Sequence, residues 1–301
     1  MQNQEPTPIK KVKTPYRVIN SFVQQQNANV DSQTVSSFGN EWEHFNRFSD
    51  EEITQLGNEY FDIVTPQMVD KDTVMGDFGC GSGRFSKYWQ PKVKQLVALD
   101  PSQAIFVADR LLGNAANVTL CQTTIDNIPY PDNYFDFVMS IGVLHHIPDT
   151  QKAMLDCVKK IKPGGYFYTY IYYNFDNKSY WYKAIWQLSN SIRQIVAQLP
   201  NTPKRLVCNL LAVVLYMPFV LLCRLAKKMN ISDEIRHKIP LSYYENKSFY
   251  IIRNDALDRF GTPLEQRFSQ KNITQMMLNC GLTNIAFSTK TPYWHAVAQK
   301  K

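Results

Sequence analysis

The 301-residue chain has no paired-cysteine spacing: Cys80, Cys121, Cys157, Cys208, Cys223 and Cys280 are scattered, without a CxxC or any metal-ligand interval. That argues against a disulfide framework, suggests no zinc or other metal site, and makes a reducing cytoplasm the expected compartment. The opening stretch MQNQEPTPIKKVKTPYRV has no apolar run after its lysines, which speaks against a secretory signal and reads as a solvated arm. Nor does any aromatic and basic stripe or recognised RNA-binding module accompany the formal net charge of +7. The positive charge favours acidic partners such as nucleic acid, anionic lipid or a phosphorylated substrate, but it is spread along the chain and decides nothing alone. Hydrophobic content of 44% and charged content of 20% are globular values, with ample chain for one large domain or a domain carrying a sizeable insertion.

What the chain does contain is a succession of short apolar runs and helical patterns. VMGDF (74–78) reads as a buried strand entering a glycine turn, and 84–89 as the first turns of a helix. QLVALD (95–100) is the next strand. PSQAIFVADRLLG follows with Ile105, Ala108 and Leu112 at helical spacing, stopped by Gly113. After VTLCQTTI (118–125) and the PYPDNY turn, FDFVMSIGVL (135–144) reads as a central strand and its exit, DTQKAMLDCVKKI (149–161) as a helix with lysines in its last turn, and YFYTYIYY (166–173) as another strand. Strands alternating with helices predict a doubly wound α/β sheet, with ligands beyond the carboxyl ends of its strands.

The glycine turn, DFGCGSG, places Asp77 two residues ahead of Gly79, Gly81 and Gly83. The dinucleotide fingerprint GxGxxG would need a third glycine where this chain has Arg84, so the match to NAD is poor. Asp100, ending the next strand, is placed to accept hydrogen bonds from the hydroxyls of a ribose, which several adenosine cofactors share. Asp77 discriminates among them. A carboxylate there repels a pyrophosphate and attracts the ammonium and sulfonium of S-adenosylmethionine.

VMGDFGCGSGRFS, LVALDPS, NIPYPDNYFDFVMSIGVLHHIPD and IKPGGYFYTYIYY, in that order, resemble the motif series of class I S-adenosylmethionine-dependent methyltransferases, most closely the type 11-like branch that methylates small molecules and lipids. The resemblance covers about 49–174 and resumes at 268–301; SFGNEW and the stretches SYYENKSFY and NDALDRFGTPLEQRF also look like a bacterial subgroup. It implies a Rossmann-like seven-stranded sheet with an antiparallel last strand, an N-terminal arm and cofactor-side cap over 1–48, and a largely helical substrate-side insertion, a lid, over 175–267. By the same resemblance Asp77, Gly79, Cys80, Gly81, Gly83 and Arg84 surround the methionine portion, and Asp100, Pro101 and Ser102 the ribose, with Ile141 at the strand exit. Where many relatives have an acid next to the adenine, this chain has Thr124, followed by Ile125 and Asp126; adenine is read by the Ile125 amide or by Asp126, or Asp126 is only a turn residue. Trp42 or Phe45 could close the methionine end and Arg47 or Arg84 meet its carboxylate, or this segment simply docks on the sheet.

Methyl transfer from a sulfonium is an in-line displacement, so positioning in a dry site should supply most of the catalysis. His145 and His146 lie at the mouth of the 135–144 strand, where a neutral imidazole could take a proton from a hydroxyl or an acidic carbon; alternatively they shape the turn. Tyr170, Tyr172 and Tyr173 read as core or pocket wall. SIGVLHH is not the NPPY-like turn of nitrogen methyltransferases, and no PC dipeptide offers a cysteine nucleophile. The expectation is transfer to oxygen or carbon of a small or lipid-like substrate, such as a lipid-linked sugar or quinone precursor. RNA or protein methylation, or a non-catalytic cofactor-binding subunit, are the alternatives; the oligomeric state is left open.

Within the insertion, Leu206 to Cys223 is an uncharged run of 18 residues flanked by Lys204 and Arg205 on one side and Arg224, Lys227 and Lys228 on the other. Hydropathy reads it as a borderline span, but its neighbours on both sides must enter the same sheet, and Pro218 interrupts it. A buried lid helix, a protomer interface and a segment lying in the membrane surface over 204–228 all remain open, the last adding peripheral contact at the cytoplasmic membrane face. The aromatics of SYWYKAIW, with Trp181 and Trp186, fit either lid core or interfacial anchors.

Overall fold

VMGDF and QLVAL are buried along nearly their whole length rather than at alternate positions, as strands covered on both faces must be. The computed structural model describes residues 7–23, 29–44, 47–175 and 180–301. The chain begins with β1 (Lys10–Lys13), β2 (Val18–Ser21), α1 (Ser32–His44) and α2 (Asp50–Tyr60). It continues through β3 (Val74–Phe78), α3 (Arg84–Trp89), β4 (Gln95–Leu99), α4 (Ala104–Leu112), β5 (Val118–Gln122), β6 (Phe135–Ile141), α5 (Thr150–Lys159) and β7 (Ile161–Tyr170). Next come α6 (Tyr180–Val196), α7 (Asn201–Leu211), α8 (Met217–Lys228), α9 (Asp233–Arg236) and α10 (Phe249–Gly261), and the chain closes with α11 (Gln270–Asn279), β8 (Leu282–Phe287) and β9 (His295–Lys300).

The sheet order is β1-β2-β5-β4-β3-β6-β7-β9-β8. From β5 to β7 every pairing is parallel, and β9 runs antiparallel to both β7 and β8. Seven strands therefore have the expected Rossmann-like arrangement, with the order reversing between β3 and β6. Each face has its own core: Phe78, Leu99, Val138 and Phe167 pack with Met154 and Val158 of α5 and Met277 of α11, while Met75, Leu96, Phe137 and Met139 pack with Phe85 and Trp89 of α3 and Ile105 of α4. The strand expected over 166–173 begins earlier, at Ile161, and ends at Tyr170, so Tyr172 and Tyr173 lie beyond it.

One expectation fails. The stretch around KKVK is not a solvated arm, because β1 and β2 form an antiparallel hairpin whose second strand adds in parallel to β5. Ile19 is fully buried, and the Arg17 guanidinium bridges Asp109 on α4 at 2.8 Å while donating to the Val118 carbonyl at 2.9 Å. An apolar residue and a cation with a buried partner anchor an otherwise polar segment to the sheet edge.

The chain divides into two compact units, residues 1–177 with 264–301, and residues 178–263. Residues 264–267, expected in the insertion, belong with the sheet: the Gln266 N–H donates to His145 O (2.9 Å) and the Phe268 N–H to Tyr172 O (2.9 Å). In the second unit α7, a π-helical turn at 212–216 and α8 follow one another without a break as a 28-residue helix, Asn201–Lys228. The π-turn precedes Pro218 and absorbs it. α10 packs on α6 and α7, with Arg193 of α6 donating to the Thr262 and Pro263 carbonyls (2.7 and 2.8 Å). The Trp181 side chain lies outside what is described.

Candidate cofactor site

The loop between β3 and α3 needs its glycines. Gly79, Gly81 and Gly83 all have left-handed backbone, with φ of 83°, 53° and 81°. Side chains there would also collide: a Cβ would lie 2.4 Å from Val143 Cγ2 at Gly79, 2.9 Å from Trp42 Nε1 at Gly81 and 2.8 Å from Ala108 Cβ at Gly83. The N–H groups of Gly79 and Cys80 both donate to the Leu99 carbonyl (2.7 and 2.9 Å), tying the loop to the end of β4.

Two carboxylates sit within this frame. Asp77 is buried at 2% exposure and accepts from the Ser86 hydroxyl at 2.6 Å. Burial pushes its carboxyl up to about 7; the Ser86 hydrogen bond pulls the other way and the charge of Asp100 adds to the rise. Asp100 accepts from the Gly81 N–H (2.9 Å) through Oδ2 and from the Ser102 N–H and hydroxyl (2.8 and 2.6 Å) through Oδ1. Burial raises its carboxyl too, opposed by those three hydrogen bonds. Neither acid pairs with a base among the described residues. Three of the four acceptor positions of Asp100 are thus used in shaping the loop, leaving one on Oδ2 for a ligand hydroxyl. Beside them Cys80 is buried, and its thiol is pushed well up, first by burial and then by the two acids.

The remaining expected residues lie on the loop itself and beyond or at the ends of β4, β5 and β6. Arg84 lies over the Trp42 ring at 4.9 Å, over Phe85 at 5.2 Å and over Phe48 at 5.7 Å. Trp42 therefore reaches the loop from α1; Arg47 is exposed, and Phe45 lies outside the described residues. Thr124 is buried ahead of a 3₁₀ turn over Ile125–Asn127, in which the Asn127 N–H donates to Thr124 O at 3.1 Å. Asp126 is half-buried in that turn, as are Pro101 beyond β4 and Ile141 at the end of β6, while Ser102 is buried.

His145 and His146 occupy a 3₁₀ turn after β6 and are both buried. His146 Nδ1 donates to the Leu264 carbonyl at 2.6 Å. The His145 ring stacks on Tyr172 at 3.9 Å, and its two nitrogens have no hydrogen-bond partner among the described residues. Burial, then the neighbouring His146 and Arg267, hold its pKa well below that of a free imidazole, so His145 is neutral at physiological pH.

Three participants escaped the sequence reading. Ser86 on α3 holds Asp77, and a strand acid followed nine residues later by a hydroxyl one turn into a helix gives no pattern to read. Gly39 lets α1 approach Ser102, whose Cβ would lie 3.3 Å from an added Cβ. Gln266 bonds Ile147 O (2.8 Å) through its side chain and braces the histidine turn from over a hundred residues away. Only the glycine inside SFGNEW offered a visible signal.

Residues 76–169 match the methyltransferase domain family. Among curated proteins, the ubiquinone biosynthesis O-methyltransferase of Proteus mirabilis is 32% identical over 96 residues, 31% of this chain and 39% of that protein. The ubiquinone/menaquinone biosynthesis C-methyltransferase UbiE of Neisseria meningitidis is 27% identical over 111 residues, 35% of this chain and 45% of the relative. The chain thus spans well under two thirds of the length of the curated relatives it matches. Among solved structures, the Haloferax volcanii methyltransferase in complex with the Trm112 activator aligns with a TM-score of 0.49 at 13% identity, covering 88% of this chain and 97% of that one.

Proposed function

We propose, from a chain whose residues 76–169 form a class I S-adenosylmethionine-dependent methyltransferase domain, that the protein methylates an oxygen or carbon of a small, lipid-like acceptor of the quinone type. The observation that carries this reading is the pair of buried carboxylates, Asp77 and Asp100, beside three left-handed glycines, with no base to neutralise either among the described residues. A pyrophosphate would meet like charge there, whereas a sulfonium and an ammonium meet opposite charge. The acceptor class rests on the relatives, whose names place them in ubiquinone and menaquinone biosynthesis.

The cofactor, when bound, supplies a methyl group on positively charged sulfur, open to in-line displacement. The chain supplies the rest. Asp77 as carboxylate holds the cationic end, and the free acceptor position of Asp100 takes a ribose hydroxyl. Trp42 covers the loop at Gly81 and keeps water from it. His145, neutral and with neither ring nitrogen hydrogen-bonded among the described residues, takes the proton of an acceptor hydroxyl or acidic carbon on its unprotonated nitrogen. His146 is fixed by Leu264 and, with its ring centroid 4.0 Å away, holds His145 in orientation.

The test is incubation with isotopically labelled S-adenosylmethionine and separated lysate fractions. Label should enter the organic-soluble fraction and resolve to a single quinone-type or lipid species. Label confined to RNA or protein would overturn the acceptor class, and tight binding of NAD with none of S-adenosylmethionine would overturn the cofactor.

A further inference from the structure

The helix Asn201–Lys228 is turned inside out for a helix of a water-soluble unit. The stripe facing its own unit consists of Cys208, Ala212, Tyr216, Val220, Cys223 and Ala226, mostly small and each under a tenth exposed. The opposite stripe carries the large aliphatics: Leu206, Leu210, Val214, Leu221, Leu222 and Leu225 are each at least half exposed. Only 28% of the most apolar stretch is buried, where a core helix would be mostly buried. This is the one helix among the described residues long and apolar enough to cross a bilayer. A crossing is excluded by connectivity, because β7 before the second unit and β9 after it are hydrogen-bonded neighbours and must lie on the same side.

We propose that this leucine face docks on an anionic lipid surface, with the helix lying in the plane of the interface and the chain not spanning it. Charge selects the occupant. The helix carries no acid; Arg205 stands near one end and Arg224, Lys227 and Lys228 at the other, Lys204 being buried against its own unit and Lys227 paired with Glu245 at 3.4 Å, so both ends stay basic. A second copy laid against this face, parallel or antiparallel, would bring basic ends together, whereas anionic headgroups flanking an apolar boundary complement them. At 28 residues the helix is about 42 Å long, enough for several turns of leucine to enter the acyl boundary at once. The proposal goes beyond methyl transfer and does not depend on it.

The test is flotation of the full chain with vesicles of phosphatidylcholine alone and of phosphatidylcholine with phosphatidylglycerol. The protein should rise with the anionic vesicles, less so at high salt, and the double variant Leu210→Glu with Leu221→Glu should lose at least tenfold in bound fraction while keeping its circular dichroism. Titration of S-adenosylmethionine into both proteins keeps a failed docking distinct from a failed methyltransferase reading. Absence from both vesicle types, undiminished flotation of the double variant, or a stable dimer that this variant dissociates would each overturn the proposal.

Discussion

At neutral pH and above, replacing Asp77 with asparagine should make the protein more stable and a worse binder, and both effects should grow as pH rises. In the folded chain the Asp77 carboxyl titrates at about 7 against an ordinary 3.8. The folded state therefore holds a proton that the unfolded chain has released, and stability falls as pH rises from about 4 to about 7. At 1.36 kcal/mol for each unit, a rise of this size corresponds to about 4 kcal/mol of destabilisation above pH 7. Asparagine removes that penalty and keeps an acceptor for the Ser86 hydroxyl, but leaves an amide N–H₂ to be satisfied, at about 1–3 kcal/mol. The net expectation at pH 8, without ligand, is a gain of about 1–3 kcal/mol, read as a higher urea midpoint, turning into a loss of about 1–3 kcal/mol near pH 4, where Asp77 carries no penalty and the amide cost remains. A cationic ligand needs the ionised form. Calorimetry should show wild-type affinity for S-adenosylmethionine rising as pH increases to about 7, levelling above it, and proton release on binding near neutrality. The Asp77→Asn variant should lose the pH dependence and bind more weakly at pH 8 by at least about tenfold, the value of one charge-assisted contact. Affinity that is flat with pH and equal in both proteins would refute the assignment of Asp77 to a cationic ligand.

Gly79→Ala places a Cβ 2.4 Å from Val143 in a left-handed backbone, and should cost about 2–4 kcal/mol in thermal or urea unfolding as well as abolishing cofactor binding. Arg17→Met strands Asp109 without its partner and should cost about 3–5 kcal/mol, with amide exchange in residues 10–21 accelerating before that of the central strands. Burial depresses the His145 pKa, so a neutral side chain is favoured on folding: stability should fall as pH drops below about 6.5, and His145→Asn should reduce that loss. The same substitution should lower turnover by about 10²–10⁴ with cofactor affinity unchanged, and the wild-type rate should show no protonation of this base between pH 8 and 6.

Much of the backbone geometry of the candidate site was legible because its requirements are local. A left-handed turn between a strand and a helix demands glycine whatever surrounds it, and the three glycines with Asp77 ahead of them announce both the turn and the sign of the charge beside it. Asp100 was legible for the same reason, standing at the end of the next strand. The arrangement of the central strands followed from their burial, since strands covered on both faces cannot hide their apolar runs. The N-terminal hairpin was not legible, since Lys10–Lys13 is polar and its docking depends on Arg17 meeting Asp109, a partner 92 positions away in a helix whose face is set only by folding. Ser86, Gly39 and Gln266 share that character: each acts through contacts with another element that leave no period in the chain.

The 206–223 run divides the two sources most sharply. Its composition established by itself that a long, uncharged, basic-ended apolar segment exists, because hydrophobicity and charge are additive along a chain. Which side of the helix faces its own unit was decided only by tertiary packing, since α6 and α10 meet its α7 half, and α9 with the 242–244 turn meets its α8 half, which leaves the leucines outside. The state of Asp77 divides in the same way: the residue is written in the chain, but its protonation near neutral pH comes from the desolvation that neighbouring elements impose on it.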